Sequence, residues 1–212
     1  MIQRICIILL LFSLTGILSA QKPVTELHAG ILMPSGAENG FIGGVSMGRG
    51  IDDNLSWAIE FDYYVRTYTE ETEVPGGGSG TVDEDLIITK IENSTRMLPV
   101  FFKLAYTTPL SPSLDIRLSG GLGYEFMWNT EVNHEENIDQ TRHYNGFAWF
   151  IGGGISLPIS RAADFFVEGN YHSGYPSRGE GTNEAGLPVR TEVDMSGAMI
   201  RAGIKIFNFG FL

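Results

Sequence analysis

Cysteine is almost absent from this 212-residue chain, and the one cysteine, Cys6, lies within an apolar run at its start. Disulfides and thiol chemistry are therefore excluded for the rest of the sequence. Beyond residue 20 there is also no apolar run near 18 residues, which excludes a transmembrane helix. Basic residues are few, with 14 Lys and Arg against 25 Asp and Glu. Because an acidic chain repels phosphate, nucleic acid is excluded as a partner.

The first twenty residues have the pattern of an export signal. They combine a single cation, Arg4, with an apolar run over 5–14 and the small pair Ser19 and Ala20. This order predicts a secretory signal peptide over 1–20, with a short transmembrane anchor as the alternative. Cleavage would remove one cation and no acid, so the formal net charge would go from -11 to -12. The predicted mature protein is a single domain over 21–212 that is stabilised by a large core or by a bilayer.

Glycine is abundant, with 27 residues in the chain, whereas a typical protein has about 7%. Many of these glycines lie inside strand-like runs such as "FIGGVSMGRG" and "FIGGGISL". Glycine weakens an ordinary strand, but it gives the wall of a tightly curved barrel room to bend. The glycine pattern therefore favours a barrel over an open soluble sheet.

Alternation of apolar and polar residues predicts an all-β chain of eight strands. The predicted strands cover residues 24–33, 41–48, 55–69, 95–107, 114–130, 144–157, 164–175 and 195–209. The connections after the second, fourth and sixth strands are short and rich in turn residues, as in "IDDN". Those after the third, fifth and seventh strands are long and polar. This alternation is typical of an antiparallel up-and-down transmembrane β-barrel in a bacterial outer membrane.

The two faces of the strands predict which side chains contact lipid. The third strand places Trp57 and Phe61 on one face and Glu60 and Asp62 on the other. Eight strands leave an interior only just wide enough for side chains, so the large apolar set points outward and the small and charged set fills the lumen. Buried charges require partners. The charges predicted to pair across the lumen are Glu60, Arg117, Glu125, Glu168, Arg201 and Lys205.

With its export signal, its strand pattern and the segments "GGLGYEF" and "RAGIKIFNFGFL", the chain resembles the small eight-stranded outer-membrane barrels, the OmpA/OmpX-like and opacity-type porin superfamily. The resemblance implies a monomer that contacts outer-membrane lipids and lipopolysaccharide and is inserted by the barrel assembly machinery. It also implies a structural, envelope-integrity or adhesion role, with the long loops available to a surface partner, and no enzymatic activity or cofactor. Arg201, Gly203 and Ile206 match the closing signal of such barrels. Because Phe207 lies on the Arg201 face, we expect a bulge or a strand end after Ile206.

Two groups of residues suggest chemistry, and neither has the required pattern. His172 and Ser173 loosely resemble the His and Ser of outer-membrane lipid A deacylases, which lie two residues apart on one strand face. Here the two are adjacent and point to opposite faces. The acidic segment 134–139 lacks the ligand spacing of a zinc site or an EF-hand. No catalytic or metal site is therefore predicted. A lipid-modifying hydrolase and a small-molecule carrier or narrow channel remain as alternatives.

Overall fold

Ten β-strands make up almost all of the described chain in this computed structural model, which describes residues 22–74, 86–133, 138–182 and 187–208. In chain order the strands are β1 (Pro23–Pro34), β2 (Gly40–Gly50), β3 (Leu55–Val74), β4 (Leu86–Ser111), β5 (Leu114–Asn133), β6 (Ile138–Ser160), β7 (Ala163–Gly174), β8 (Ser177–Thr182), β9 (Pro188–Glu192) and β10 (Gly197–Phe207). No helix within these ranges is long and apolar enough to cross a membrane. The predicted signal peptide lies outside the described residues.

Eight of the strands close into an antiparallel barrel. Strands β1 to β7 pair in sequence order, and β10 pairs with both β7 and β1 to complete the ring. The closing register places Glu26 opposite Lys205 and Ile31 opposite Ile200. Strands β8 and β9 form an additional hairpin in the connection between β7 and β10. The prediction of an all-β, eight-stranded antiparallel barrel is confirmed.

The two ends of the barrel differ in their connections. At one end, which we call the turn end, three tight connections at residues 51–54, 112–113 and 161–162 join neighbouring strands. The turn 51–54 is held by Asp52, whose Oδ1 accepts hydrogen bonds from the backbone N–H groups of Asn54 and Leu55. The opposite end, which we call the loop end, carries the longer connections. Strand β10 ends at the turn end with Phe207, and the residue after it, Asn208, has a φ of 60°.

Several strands continue past their predicted ends toward the loop end. Strand β3 runs to Val74 and β4 begins at Leu86, although the predicted strands end at 69 and begin at 95. Likewise β6 begins at Ile138, and the last predicted loop contains the β8–β9 hairpin. Beyond a membrane both faces of a sheet are wet, so a strand there shows no apolar alternation while its backbone hydrogen bonds persist. The predicted loop boundaries were wrong for this reason.

The outer wall of the barrel is apolar and exposed, as the strand alternation predicted. Leu122 is 60% exposed and Ile151 is 61% exposed, whereas Glu60 and Arg117 are fully buried. Other exposed apolar residues on this wall are Leu27, Ile31, Phe61, Tyr63, Phe102, Leu104, Leu118, Phe147, Trp149, Ile155, Tyr171, Ile200 and Ile204. A continuous apolar surface of this kind around a closed barrel fits contact with lipid tails.

The lumen contains two layers of different chemistry. Toward the turn end it holds charged and hydroxyl side chains. Toward the loop end it holds a compact apolar cluster, whose buried members are Leu32, Ile42, Tyr64, Met97, Phe101, Met127, Tyr144, Ala148, Phe150, Met195 and Met199. The expectation that small and charged residues alone fill the lumen was therefore wrong for the loop-end half. Once the charged layer is paired, the remaining length of the lumen is filled efficiently by apolar side chains, which need no partners.

Glycine is required where neighbouring strands approach closely. At Gly123 a Cβ atom would lie 1.9 Å from the carbonyl oxygen of Val100, and at Gly154 it would lie 1.9 Å from that of Val167. No side chain fits at such a distance without moving the backbone of the neighbouring strand. These positions support the interpretation that glycine allows the wall to curve.

Candidate functional site: a closed ring of charges in the lumen

Six buried charged side chains meet in the turn-end half of the lumen. The three acids are Glu26 on β1, Glu60 on β3 and Glu168 on β7, and the three bases are Lys103 on β4, Arg117 on β5 and Arg201 on β10. Each of the six residues is at most 2% exposed. These residues, which we call the charge ring, come from six of the eight barrel strands. The ring therefore ties most of the wall together through side chains.

Acids and bases alternate around the charge ring, so each charge contacts two of the opposite sign. On one side, Lys103 Nζ donates to Glu26 Oε2 at 2.8 Å, and Arg117 Nη1 and Nη2 donate to the two oxygens of Glu26 at 2.8 and 2.7 Å. On the other side, Arg117 Nε donates to Glu168 Oε2 at 3.0 Å, and Arg201 Nε donates to Glu168 Oε1 at 2.5 Å.

The remaining two contacts close the ring at Glu60, which accepts from Arg201 Nη1 at 2.7 Å and from Lys103 Nζ at 2.5 Å. With three carboxylates and three cations, the ring is neutral in sum. Because every charge keeps two direct partners, the cost of removing all six from water is offset by short, charge-assisted hydrogen bonds.

Aromatic rings and hydroxyl groups surround the charge ring. The guanidinium carbon of Arg117 lies 4.4 Å from the centre of the Phe166 ring, and that of Arg201 lies 4.8 Å from the centre of the Phe150 ring. These distances fit cation–π contacts, which are strengthened where water is excluded. Ser119 Oγ donates to Glu168 Oε2 at 3.2 Å. This carboxylate oxygen therefore accepts a hydrogen bond from Ser119 in addition to the one from Arg117.

His28 and Asp62 form a side branch of the ring, with His28 Nε2 at 2.6 Å from Asp62 Oδ1. Together with Glu60 they offer three possible metal-ligand atoms within 4.8 Å of one another. However, Arg201 Nη1 lies 2.7 Å from Glu60 and 3.7 Å from Asp62 Oδ2. A guanidinium already supplies positive charge between these carboxylates, and it would repel a metal cation. The position of the Arg201 guanidinium and its positive charge therefore both disfavour a metal ion between Glu60 and Asp62.

Of the six charges predicted to pair, four lie in the charge ring: Glu60, Arg117, Glu168 and Arg201. Glu125 lies further toward the loop end, where its Oε2 is 3.2 Å from His172 Nε2. Lys205 lies at the turn end, with its ammonium 5.1 Å from the centre of the Phe207 ring.

The sequence analysis missed two members of the ring, Glu26 and Lys103. Glu26 shares its strand face with His28 and Leu32, and Lys103 shares its face with Phe101 and Ala105. Alternation along "VTELHAGILM" and "PVFFKLA" places both charges on the buried parity, so this signal was present in the sequence. The neighbouring pair of phenylalanines in the second segment obscured it.

The arrangement around His172 differs from that of a hydrolase. His172 is buried, its ring lies at 80° to that of Phe101, and the hydrogen bond of its side chain within the described residues is to Glu125. Ser173 lies on the other strand face, where its Oγ is 3.4 Å from Ser196 Oγ. Although it lies on the outward face, Ser173 is only 9% exposed because the segment before β10 covers it. His172 therefore contacts a carboxylate and not the hydroxyl of Ser173.

The charge ring and the apolar cluster separate two cavities at opposite ends of the lumen. The turn-end cavity has a volume of about 260 Å³ and is lined by residues that include Lys22, Arg161 and Lys205. The loop-end cavity has a volume of about 310 Å³ and lies above the apolar cluster. Among the described residues, the side chains of the charge ring and of the apolar cluster lie between the two cavities and are buried.

No protein-family model and no curated protein sequence matches the chain. Among solved structures it is similar to a major outer membrane protein from Thermus thermophilus, with a TM-score of 0.55, 13% identity and coverage of 87% of this chain and 98% of that one. It also matches Neisserial surface protein A (TM-score 0.49, 14% identity, 88% and 95% covered). A third match is the outer membrane protease OmpT from Escherichia coli (TM-score 0.45, 10% identity, 80% and 63% covered).

The likeness to the Thermus protein shows that this chain has the fold of a small outer-membrane β-barrel. The comparison thereby agrees with the resemblance drawn from the sequence. A barrel fold alone does not decide whether a protein is an enzyme, because function depends on the site that a fold carries.

Proposed function

We propose that this chain spans the bacterial outer membrane as a monomeric barrel with a structural or surface-interaction role, and that it is neither an enzyme nor a passive pore. The observation that carries the proposal is the closed charge ring. It joins six strands and contacts the apolar cluster through Arg201 and Phe150, so that ring and cluster together occupy the lumen between the two cavities. A lumen packed in this way stiffens the wall and blocks passage of solutes.

The exposed apolar wall supports a membrane location, because a soluble barrel would leave this surface in contact with water. In the proposed orientation the loop end faces outward and the turn end faces the periplasm, as in other barrels of this kind. Outer-membrane lipids, including lipopolysaccharide, would then contact the wall, and the barrel assembly machinery would insert the chain. The strands that extend beyond the wall at the loop end would be available to a surface partner.

Location and orientation are testable together because the chain lacks cysteine after residue 20. Two exposed residues at opposite ends, Thr182 at the loop end and Ser113 at the turn end, are each replaced by cysteine. A membrane-impermeant maleimide applied to intact cells should label Thr182→Cys at once and Ser113→Cys only after the outer membrane is opened. Labelling of Ser113→Cys alone in intact cells would reverse the orientation. Recovery of the chain in the soluble fraction would contradict the membrane location.

The closed lumen predicts no conductance. Purified folded protein in a planar lipid bilayer should give no discrete current steps, whereas a channel would give regular steps of one size. The enzymatic alternative is tested by mass spectrometry of lipid A from cells with and without the protein, together with a His172→Ala variant. Unchanged lipid A supports the proposal. Loss of an acyl chain that depends on His172 would make the protein a lipid hydrolase.

A further inference from the structure

The loop-end cavity has the form of a cup with an apolar floor and a polar wall. Its floor includes Met127 and Tyr144, which are 1% and 8% exposed, and these side chains belong to the apolar cluster. Ala37 and Val193 pack against the same cluster from the two connecting segments that cover this end. The cup is therefore built on the packed core of the lumen, and its floor is held in place by tertiary packing.

Amide and hydroxyl groups line one wall of the cup. Asn129 Nδ2 donates to Asn93 Oδ1 at 3.0 Å and to Thr95 Oγ1 at 3.2 Å. Both donor hydrogens of that amide are therefore used, while Asn129 Oδ1 and Asn93 Nδ2 have no hydrogen-bond partner among the described residues. A carboxamide offers one acceptor and two donors in a fixed plane. The wall thus presents an acceptor and a donor side by side on neighbouring strands.

Strand β3, which pairs with β4 beside this wall, carries an ion pair and an aromatic ring. Arg66 Nε and Nη2 both lie 2.8 Å from Glu38 Oε2, so this pair is neutral in sum. The hydroxyl of Tyr64 donates to the backbone carbonyl of Glu38 and thereby fixes the segment that carries the acid. Tyr68 lines the same cup and is 45% exposed, so its ring is available to a ligand. The cup therefore combines an accessible aromatic face with neutral hydrogen-bonding groups.

We propose that this cup binds a neutral saccharide unit. A sugar ring presents apolar C–H groups on its faces and hydroxyl groups around its edge. The C–H groups would pack on an aromatic ring such as that of Tyr68. The hydroxyl groups would form hydrogen bonds with amide donors and acceptors such as those of Asn93 and Asn129. The cavity of about 310 Å³ is within the size range of small-molecule sites. The absence of an unpaired cation on the described wall and the formal net charge of -11 disfavour phosphorylated or sulfated sugars.

The test uses the full-length folded protein in lauryldimethylamine oxide, a detergent without a sugar headgroup. Glucose, galactose and N-acetylglucosamine are the probes, and saturation-transfer NMR measures their binding. For ligands of this size we expect dissociation constants of about 1–10 mM for at least one probe. Glucose 6-phosphate should bind more weakly than glucose. Absence of saturation transfer to all three neutral sugars, or stronger binding of glucose 6-phosphate, would overturn the proposal.

Variants locate the site on the cup. Asn129→Ala and Tyr68→Ala should each weaken binding about tenfold, the effect of one lost hydrogen bond or stacking contact. The matched control is Thr130→Ala, the next residue on β5, which points to the opposite face and pairs with Thr141 at 3.1 Å. Equal loss of binding in Thr130→Ala would overturn the assignment to the cup. Tyr68 is exposed, so its replacement tests the site even if Asn129→Ala lowers the yield of folded protein.

Discussion

Replacing members of the charge ring in pairs should reveal whether its six charges act as one unit. Glu26 and Arg117 share the two-point contact of the ring, with distances of 2.8 and 2.7 Å. Glu26→Gln leaves the ring with one excess positive charge, and Arg117→Met leaves it with one excess negative charge. The double variant restores neutrality, and it keeps Lys103, Glu60, Arg201 and Glu168 connected in one alternating chain.

The size of the effect follows from burial. Removing one partner of a fully buried ion pair typically costs about 3–5 kcal/mol, because an uncompensated charge is left without water. Independent effects of the two single substitutions would therefore add to about 6–10 kcal/mol in the double variant. Because the double variant leaves no unpaired charge, we expect its loss of unfolding free energy to be smaller than the sum by about 2–3 kcal/mol.

The measurement is equilibrium unfolding in urea of the chain inserted into lipid vesicles, followed by the fluorescence of its three tryptophans. The control is Arg142→Met. It removes a half-exposed pair in which Arg142 Nη1 lies 2.7 Å from Glu131, and it should cost no more than about 1 kcal/mol. If the double variant loses the plain sum of the two single losses, the charges do not act as one unit and the reasoning is refuted.

Three further outcomes are expected. Ile204→Arg, at an exposed position on the wall, should lower the unfolding free energy in vesicles by about 2–4 kcal/mol. The control Ile204→Val should have little effect. An arginine that leaves the unfolding free energy unchanged would contradict the lipid-facing assignment. Ala148→Leu, in the fully buried apolar cluster, should cost about 1–3 kcal/mol by overpacking in the same assay, and a neutral result would indicate unfilled space. In the turn 51–54, the pKa of Asp52 is lowered by hydrogen bonds from the backbone N–H of Leu55, the larger effect, and of Asn54. The carboxylate should therefore stabilise the turn fully above the ordinary aspartate pKa. This stabilisation should be lost as the pH falls through the lower pKa of the folded state. NMR titration should place its midpoint below 3.8, and a midpoint above that value would contradict the hydrogen bonds.

Alternation along the strands was sufficient to predict which residues face outward. The side chains of a strand change sides at every residue, so local sequence alone places Phe61 outward and Glu60 inward, as the structure has them. The same local rule predicted eight strands and the three tight turns. It did not predict the strand extensions near the loop end, because segments such as "LIITKIEN" show no regular alternation of apolar and polar residues.

Only the tertiary structure decided which inward charges meet. Glu26 and Arg117 are separated by 91 positions in the chain, and their contact depends on the closure of β1 with β10 and on the stagger of every strand between them. Strand parity assigns a side chain to the lumen but not to a height within it. For this reason the predicted set included Glu125 and Lys205, which lie on the inward face at other levels. The sequence by itself therefore determined the barrel and which face of the wall each residue lies on. Barrel closure determined the charge ring, because the stagger of the whole sheet sets the relative heights of distant strands.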